Sequence, residues 1–513
     1  MKKRFLSLLL AASLFLLTGC GEWEDTQDSV FQTLQDYYGT QNDQTDEAPA
    51  LSFFALPYYV GQTADPITCT DGAQQVLGTL IYESLFALTP ELQPQPLLAQ
   101  SYTYNAATFT YTITLRSGIT FSDGSELTAR DVIYTLQRAK SSTRYAARLA
   151  DMVSVSGGGN QVYLTLNHNN SAFIARLDIP IIKYSTGERT FPVGTGPFYY
   201  LSDDSGAHLA AYNGWWQQKA LPLQRIELVR CKGSDTISYA FYAREIQLMM
   251  CDLTATSTSS VYGSGDYIDA ATTTMQYIGL NTTRAPLNNP ALRNALSLGI
   301  DRNTCVSSYL LGHGSAAQFP VSPASALYPA SLDHVYSPDY FDRAMAAAGY
   351  STGASIPLTM IVNSENSFKV SAAQKIAADL SRHDLKITVR VLPWNEYVAA
   401  LQSGNFDLYY GECKLTADWD LRSLLHTGGA MNYGGYSNGE TNALLLSVLS
   451  VDEAQRAAAM QALCVQLQQE SPILPICFKD MSVLLPSGAV ESVIPTAANP
   501  FYNLPSWVID IKK

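Results

Sequence analysis

The pattern of apolar and polar residues predicts a chain in which strands and helices interleave. Apolar and polar residues alternate with a period of two over residues 109–115, 161–166 and 385–391, which is typical of strands with one buried face. Residues 372–380 and 453–469 instead repeat their apolar positions with the spacing of a helix. Because both patterns recur along the chain, the sequence predicts a mixed α/β fold.

Capping signals predict where two further helices begin. Thr128 is followed three residues later by Asp131, which is the spacing of a capping box, and an apolar face follows. Asn289 precedes Pro290, so a good N-cap stands before a residue suited to the first helical turn. The segment 194–197, Gly-Thr-Gly-Pro, lacks the Lys-Ser/Thr pair of a phosphate loop and predicts a tight bend.

The first twenty residues have the pattern of an export signal. Basic residues at positions 2–4 precede an apolar run over residues 5–17, which is too short to span a bilayer comfortably. The run ends in Leu17-Thr18-Gly19-Cys20, which resembles a bacterial lipobox. The resemblance implies that residues 1–19 are a signal peptide and that Cys20 carries lipid; a plain cleaved signal or a simple membrane anchor is the alternative. We expect an exported protein that is lipid-anchored to the outer face of the cell membrane, or in the periplasm if the cell has an outer membrane.

Charge and length constrain the remainder of the chain. Residues 20–50 contain acids but no Lys or Arg, which predicts a solvated, lipidated tether. The 513 residues exceed the size of one ordinary core, so two or three domains are expected. The formal charge of -13 becomes -16 without the first twenty residues, which hold three bases and no acid. A nucleic-acid partner is therefore not expected, since phosphate binding requires clustered Lys and Arg.

Cysteine spacing and catalytic motifs give little sign of metal or enzyme chemistry. Seven cysteines follow Cys20 and none forms a Cys-x-x-Cys pair, so we expect mostly buried free thiols. The exported compartment would permit disulfides, but seven is an odd number. The chain has no Gly-x-Ser-x-Gly, Ser-x-x-Lys or His-Glu-x-x-His motif, and its six histidines are scattered. We expect no catalytic residues, no metal site and no cofactor.

A series of short segments, in order along the chain, resembles one protein family. The segments are 64–66 (ADP), 81–86 (IYESLF), 96–101 (PLLAQS), 110–131 (TYTITLRSGITFSDGSELTARD), 192–198 (PVGTGPF), 277–281 (YIGLN), 292–302 (LRNALSLGIDR), 406–408 (FDL) and 475–476 (PI). Together they resemble the family 5 extracellular solute-binding proteins, the oligopeptide, dipeptide and nickel receptors of bacterial ABC importers. The resemblance covers about residues 51–510.

This resemblance implies an architecture and a mode of action. The family has a hinged, two-lobed fold of the periplasmic-binding-protein type (type II, class C), with an extra sub-domain in lobe I. By this resemblance, lobe I comprises residues 51–275 and 483–513, its sub-domain about residues 87–182, and lobe II residues 276–482. Such a fold closes because a ligand contacts both lobes at once.

The resemblance also implies a function and a ligand site. The protein is expected to act as a monomer that captures a peptide-like solute between its lobes and delivers it to an ABC permease. In peptide-binding members an aspartate of lobe II pairs with the α-amine of the ligand, and the corresponding stretch here is residues 411–420. This stretch departs from the family pattern, since Glu412 stands where Trp is usual and the spacing is longer. The candidate ligand-binding residues are Asp418 first, then Asp420 and Glu412, with Trp394 and Trp419 as pocket walls.

Several other ligands and roles stay open on sequence grounds. A nickel or other metal chelate, haem or a sugar could replace the peptide, although no ligand spacing supports a metal. A receptor that senses a peptide pheromone has the same features as a receptor for uptake. A secreted hydrolase is the alternative from another class of protein, and the missing motifs disfavour it.

Overall fold

The computed structural model describes residues 54–255 and 265–510. The predicted signal peptide, Cys20 and the acidic tether lie outside these residues. Within the two ranges, no helix is both long enough and apolar enough to cross a membrane.

Strands β1 to β10 build two four-stranded sheets and one short hairpin in the N-terminal half. Their bounds are β1 Ala55–Tyr58, β2 Phe86–Leu88, β3 Pro94–Pro96, β4 Ala99–Asn105, β5 Thr110–Leu115, β6 Met152–Gly158, β7 Gln161–Leu166, β8 Phe198–Asp203, β9 Gly206–Ala211 and β10 Arg225–Arg230. The first sheet has the order β1-β10-β9-β8, with β1 parallel to β10. The second sheet is antiparallel, in the order β4-β5-β7-β6, and β2 pairs with β3.

Three helices accompany these sheets, and the second of them covers the core of the predicted sub-domain. They are α1 Gly72–Ile81, α2 Ala129–Lys140 and α3 Ser234–Tyr242. Alternate residues of β5 (Tyr111, Ile113, Leu115) are buried, as the period-two pattern predicts. They pack with α2 residues such as Leu136 in one apolar cluster, so both predicted strands at 109–115 and 161–166 belong to this core.

Strands β11 to β17 form the large sheet of the C-terminal half, and two short strands follow. Their bounds are β11 Met249–Cys251, β12 Gly265–Leu280, β13 Gly314–Ala316, β14 Ile356–Asn363, β15 Leu385–Leu392, β16 Leu408–Lys414, β17 Ile473–Pro486, β18 Val490–Glu491 and β19 Val508–Ile509. The large sheet has the order β11-β17-β12-β16-β14-β15, and β13 pairs with β17. Strand β14 is parallel to both β15 and β16.

Helices pack on this sheet over two apolar clusters. Their bounds are α4 Pro290–Leu298, α5 Arg302–Thr304, α6 Pro338–Ala347, α7 Ser367–Leu380, α8 Trp394–Ser403, α9 Arg422–Leu425, α10 Gly439–Ser450 and α11 Glu453–Glu470. One cluster contains Leu296, Ile376 and Leu408, and the other contains Tyr409 and Met460. The helices predicted at 372–380 and 453–469 are therefore present as α7 and α11, with their apolar faces buried.

Strands β12 and β17 are long, antiparallel and pair with each other over most of their length. Their register shifts between Ala271 and Met275, where a bulge interrupts the pairing. The predicted lobe boundaries at 275/276 and 482/483 fall inside these two strands. We use the names lobe I and lobe II for the two sides of those boundaries, which stay a prediction.

The predicted bend at residues 194–197 is a close approach between two backbones. A Cβ atom added to Gly194 would lie 2.0 Å from the carbonyl oxygen of Ile81, at the end of α1. A Cβ added to Gly196 would lie 2.6 Å from the carbonyl oxygen of Leu80. Only glycine fits at these positions, so the motif serves packing.

Candidate functional site

The predicted ligand stretch, residues 411–420, begins in β16 and continues into the loop that follows it. Strands β14, β15 and β16 run in the same direction, so their carboxyl ends meet at one edge of the sheet, where ligands of open α/β sheets usually bind. The main chain of Leu415 donates to the carbonyl of Thr273 at 2.9 Å, and the Thr273 hydroxyl donates to the carbonyl of Leu415. These two bonds fix the loop against the bulge of β12.

Asp418 is buried, with 1 % of the residue exposed, and it contacts the predicted sub-domain. Its Oδ2 atom accepts from Nε of Arg176 at 2.7 Å and from Nδ2 of Asn170 at 2.9 Å. Its Oδ1 atom is also buried, yet it has no hydrogen-bond partner among the described residues. One oxygen of this carboxylate therefore keeps its full capacity to accept a hydrogen bond.

Asp420 belongs to the same group of charges, which we call the seam cluster: Asp151, Arg176, Asp418, Asp420 and Arg422. Asp420 accepts from Nη2 of Arg176 and from Nε of Arg422, each at 2.8 Å. Burial would raise the pKa of Asp420, but the hydrogen bond to Arg422 and the charges of Arg422 and Arg176 outweigh it and lower the pKa to about 2. Asp151 completes the cluster by accepting from Arg176 and Arg422, each at 3.1 Å. Three carboxylates thus face two guanidinium groups, and one negative charge is uncompensated.

Local structure positions the sub-domain side of the cluster. Arg176 ends a 3₁₀ turn, Phe173–Arg176, and its guanidinium lies 5.2 Å from the ring centroid of Phe173. Asn170, just before the turn, receives a hydrogen bond from the hydroxyl of Tyr111 on its carbonyl at 2.7 Å. Sequence reasoning missed Arg176, although a lone Arg inside the apolar stretch 172–182 is a sign of a buried charge that needs a partner.

Trp419, between the two aspartates, lies in the core. It is 2 % exposed and its ring centroid is 6.0 Å from that of Phe478. Its φ of 55° is in the left-handed region, which is uncommon for a bulky residue. This local turn lets both Asp418 and Asp420 reach Arg176.

Neither Glu412 nor Trp394 has a hydrogen bond or ion pair with the seam cluster in the part of the chain that the structure describes. Glu412 accepts from Nε2 of Gln276 at 2.8 Å, and its carboxylate oxygens lie 3.5 Å from Nζ of Lys369 and 3.7 Å from Nζ of Lys479. Two lysines thus compensate its charge. Trp394 begins α8, right after β15, and is 55 % exposed. It follows the carboxyl end of β15, at the same edge of the sheet as the loop after β16.

Further hydrogen bonds join the two predicted lobes directly. The main chain of Ser171 donates to the carbonyl of Leu449 at 2.7 Å, and Nδ2 of Asn366 donates to the carbonyl of Thr254 at 2.8 Å. Lys479 of lobe II forms an ion pair with Asp252 of lobe I. Together with the seam cluster, these contacts place residues 411–420 against lobe I.

The described residues contain a cavity that lies away from the predicted site, and they contain no cluster suited to a metal ion. A cavity of about 310 Å³ lies within lobe II, lined by residues of α4 such as Asn294, the end of α11 and the start of β17, and none of its lining residues belongs to residues 411–420. No group of three or more His, Cys, Asp or Glu side chains in residues 54–255 and 265–510 has an arrangement that could hold a metal ion.

Comparison with known proteins adds independent information. Residues 93–428 match the family model described as bacterial extracellular solute-binding proteins, family 5 middle. The glutathione-binding protein GsiB of Escherichia coli (strain K12) is 27% identical over 443 residues, covering 81% of this chain and 86% of the relative. The fold resembles that of a nickel ABC transporter protein from Bacillus halodurans, with a TM-score of 0.73 and 19% identity over 87% of this chain and 97% of the other. It also resembles the oligopeptide-binding protein AppA from Bacillus subtilis in complex with a nonapeptide, with a TM-score of 0.59 and 20% identity over 90% of this chain and 100% of the other.

Proposed function

This chain belongs to family 5 of the bacterial extracellular solute-binding proteins, and we propose that it captures a peptide-like solute between its two lobes for an ABC importer. The names of two relatives support a peptide, since one binds glutathione and the other was solved with a nonapeptide. The proposal includes the ligand-binding residues predicted above, with Asp418 as the partner of the α-ammonium group.

The observation that carries this proposal is the buried Oδ1 atom of Asp418, which accepts no hydrogen bond from any residue that the structure describes. A buried carboxylate oxygen without a donor is unfavourable by about 1–3 kcal/mol or more. Glu412 lies between two lysines, and Asp420 is paired with two arginines. Among these three acids, Asp418 is therefore best suited to receive a ligand ammonium group, because a charge-assisted bond satisfies both partners.

The proposal also covers the oligomeric state of the protein, its partner and its attachment to the membrane. We infer that it is a monomeric receptor rather than an enzyme, and that its partner is the permease of the importer. Lipid on Cys20 would keep the receptor at the membrane surface. Replacement Cys20→Ser is expected to move the protein from the membrane fraction into the soluble fraction; retention in the membrane fraction would refute the lipid anchor.

Binding of synthetic peptide libraries to the full-length, detergent-extracted protein tests the main proposal. Native mass spectrometry is expected to detect binding from a library of di- to tetrapeptides with free termini, and an N-acetylated library should bind at least about tenfold more weakly. Asp418→Asn should produce the same loss, whereas Asp204→Asn, in an exposed turn, should leave binding unchanged. Equal affinity for free and acetylated peptides would refute the role of Asp418, and no binding of either library would refute the peptide-like ligand.

A further inference from the structure

The cavity of about 310 Å³ described above, which we call the lobe II cavity, is bounded by three elements of the C-terminal half. Ser297 and Leu298 line it from the end of α4, Gln468 lines it from the end of α11, and Pro475 lines it from the start of β17. Ligand pockets in proteins have volumes of about 300–1,000 Å³, so this cavity is at the lower end of the range. Its size therefore suits a small molecule.

The wall of the lobe II cavity combines apolar surface with neutral polar groups. Phe319, Leu467 and Ile473 are buried apolar residues of the wall, and Ser297 and His334 add polar groups. Among the described residues that line the cavity, none is an aspartate, a glutamate, a lysine or an arginine. Such a wall suits a ligand that has an apolar body and few polar groups.

Arg302 lies behind this wall and carries a buried positive charge. The residue is 6% exposed, and in residues 54–255 and 265–510 no carboxylate forms an ion pair with it. Its guanidinium donates instead to main-chain carbonyls, among them those of Pro475 at 2.7 Å and Ser297 at 3.0 Å, two residues that line the cavity. Because a buried charge seldom lacks a counter-charge, this region favours an anion.

The hydroxyl of Ser297 connects the charge of Arg302 with the lobe II cavity. Nη2 of Arg302 donates to Oγ of Ser297 at 2.9 Å. This bond leaves the hydrogen of the hydroxyl available, and no acceptor for it is present in the part of the chain that the structure describes. A hydroxyl that accepts from a guanidinium is a stronger donor, because hydrogen bonds in a chain polarise one another. Ser297 therefore offers the cavity a donor that suits an anion.

His334 offers a second donor on the same wall. Its main chain forms two hydrogen bonds with the side-chain amide of Gln318, at 2.7 and 3.3 Å, which fix the residue in place. Burial, followed by the charge of Arg302, lowers the pKa of the imidazole to about 4, so the ring is neutral at neutral pH. The imidazole has no hydrogen bond to any of the described residues. A neutral imidazole in this state can donate one N–H to a ligand.

The two acids beside the wall in the sequence have partners of their own. Asp333 precedes His334, and its carboxylate accepts from the hydroxyl of Tyr328 at 2.7 Å. Glu470 follows the α11 part of the wall and lies 3.5 Å from Nη2 of Arg293. Neither acid lines the cavity. The positive charge of Arg302 is thus not matched from these two positions.

We propose that the lobe II cavity binds a small carboxylate that carries an apolar body. The carboxylate accepts from the hydroxyl of Ser297 and from the imidazole of His334, and the charge of Arg302 stabilises the anion through Ser297. The apolar body packs on Phe319, Leu467 and Ile473. No lining residue of this cavity belongs to residues 411–420, so the site is separate from the predicted peptide site and does not depend on it.

Calorimetry on the full-length, detergent-extracted protein tests the site with hydrocinnamate and with its neutral counterpart hydrocinnamamide. The two probes share a phenyl ring on a short chain and differ only in the terminal carboxylate or amide. Hydrocinnamate is expected to bind wild type at least about tenfold more tightly than the amide does. Ser297→Ala should weaken the binding of hydrocinnamate at least about tenfold, whereas Ser297→Thr keeps a hydroxyl and should retain most of it. Ser308→Ala, at an exposed serine, is the control and should match wild type.

Histidine-selective NMR provides a readout that a merely structural role of Ser297 would not change. Saturating hydrocinnamate should raise the pKa of His334 by about one unit or more, because a nearby anion stabilises the imidazolium. His334→Gln assigns the signal by removing it. An unchanged pKa of His334 in the presence of bound hydrocinnamate would refute its contact with the carboxylate.

Further variants separate this site from the proposed peptide site. Asp418→Asn should leave the affinity for hydrocinnamate unchanged, and Ser297→Ala should leave the binding of the peptide libraries unchanged. Leu298→Trp, at a half-buried position of the wall, fills the cavity and should abolish the binding of hydrocinnamate. If hydrocinnamate does not bind wild type, if the amide binds equally well, or if Asp418→Asn weakens its binding while Leu298→Trp does not, the carboxylate site is refuted and the peptide receptor stands. Circular dichroism of each variant checks that a loss of binding is not a loss of fold.

Discussion

Arg176 donates its Nε–H to Oδ2 of Asp418 at 2.7 Å, although the two residues are 242 positions apart in the sequence. The same guanidinium reaches Asp151 through Nη1 and Asp420 through Nη2. Each of its three nitrogens thus faces a different carboxylate, from both predicted lobes. Arg176 therefore makes two of the charged contacts between the sub-domain and residues 411–420, beside the hydrogen bond from Asn170 to Asp418.

The replacement Arg176→Met is expected to shift the protein towards an open arrangement of its lobes. Loss of the cation leaves the buried carboxylate of Asp418 with only the neutral amide of Asn170 and leaves Asp420 with only Arg422, which disfavours the contact by about 3–5 kcal/mol. Because the carboxylates regain water when the lobes separate, the closed population should fall by about a hundredfold or more. Small-angle X-ray scattering of the ligand-free protein should show a larger radius of gyration.

Arg176→Lys and Arg189→Met are the matched variants for this prediction. The three N–H donors of an ammonium group share one nitrogen and lack the span of the planar guanidinium, so Arg176→Lys should restore closure only in part. Arg189 is exposed in a loop, and its replacement should not change the scattering. An unchanged radius of gyration for Arg176→Met would show that the seam cluster does not hold the lobes together.

The sequence predicted the local elements well because their causes are local. The capping box at Thr128 and Asp131 is confirmed, since Oδ2 of Asp131 accepts from both the main chain and the hydroxyl of Thr128. The helix start at Asn289 and Pro290 is confirmed, since Oδ1 of Asn289 accepts from the main chain of Ala291 at 3.0 Å. Both signals involve groups within a few residues of each other, so one stretch of sequence contains all of the information.

The candidate site could be predicted only in part because its contacts are long-range. The family resemblance led to Asp418, but nothing in residues 411–420 indicates that Arg176 and Asn170 bind it. Glu412 has the expected charge, yet this charge is compensated by Lys479, which lies on β17, far away in the sequence but close in space. Such pairings depend on how the lobes meet.

Glu83 provides a prediction about stability. Its carboxylate is buried and accepts from four neutral groups, which are the indoles of Trp215 and Trp216, the hydroxyl of Thr195 and the amide of Gln217. Glu83→Gln places an amide NH₂ where an acceptor is required, so the N–H of at least one indole, which cannot act as an acceptor, meets a donor. We expect the free energy of unfolding to fall by about 1–3 kcal/mol in urea denaturation.

Glu188→Gln is the control for Glu83, since Glu188 is exposed in a loop. It should leave the urea midpoint unchanged. If Glu83→Gln also had the midpoint of wild type, the four hydrogen bonds would contribute nothing that an amide cannot replace.

Gly194→Ala tests the close approach of two backbones at the Gly-Thr-Gly-Pro bend. The new methyl group would lie 2.0 Å from the carbonyl oxygen of Ile81, and because backbone atoms cannot rotate away, the segment must shift. We expect a loss of about 1–3 kcal/mol in the free energy of unfolding. Gly158→Ala is a matched control, because a Cβ there meets nothing within 4 Å, and a similar loss in both variants would contradict the packing role.

Asp480, on strand β17, predicts a pH dependence of stability. Burial and the charge of Asp269 raise its pKa from 3.8 to about 6, against the opposing effect of His313. His313 lies 3.0 Å from an oxygen of Asp269 on β12, and the hydroxyl of Ser482 on β17 donates to Asp269 at 2.6 Å. The folded protein holds the proton of Asp480 up to a higher pH than the unfolded chain does.

The sign of the effect follows from proton binding. Between pH 3.8 and about 6 the folded state binds more protons at Asp480 than the unfolded state, so the free energy of unfolding decreases as the pH rises. The stabilisation that Asp480 contributes is fully present below pH 3.8 and is lost above about pH 6. Asp480→Asn removes the titrating group, and urea denaturation across this range should give a flatter profile than wild type. Asp204→Asn, in an exposed turn, should keep the slope of wild type; a variant Asp480→Asn with that same slope would show that Asp480 does not titrate differently on folding.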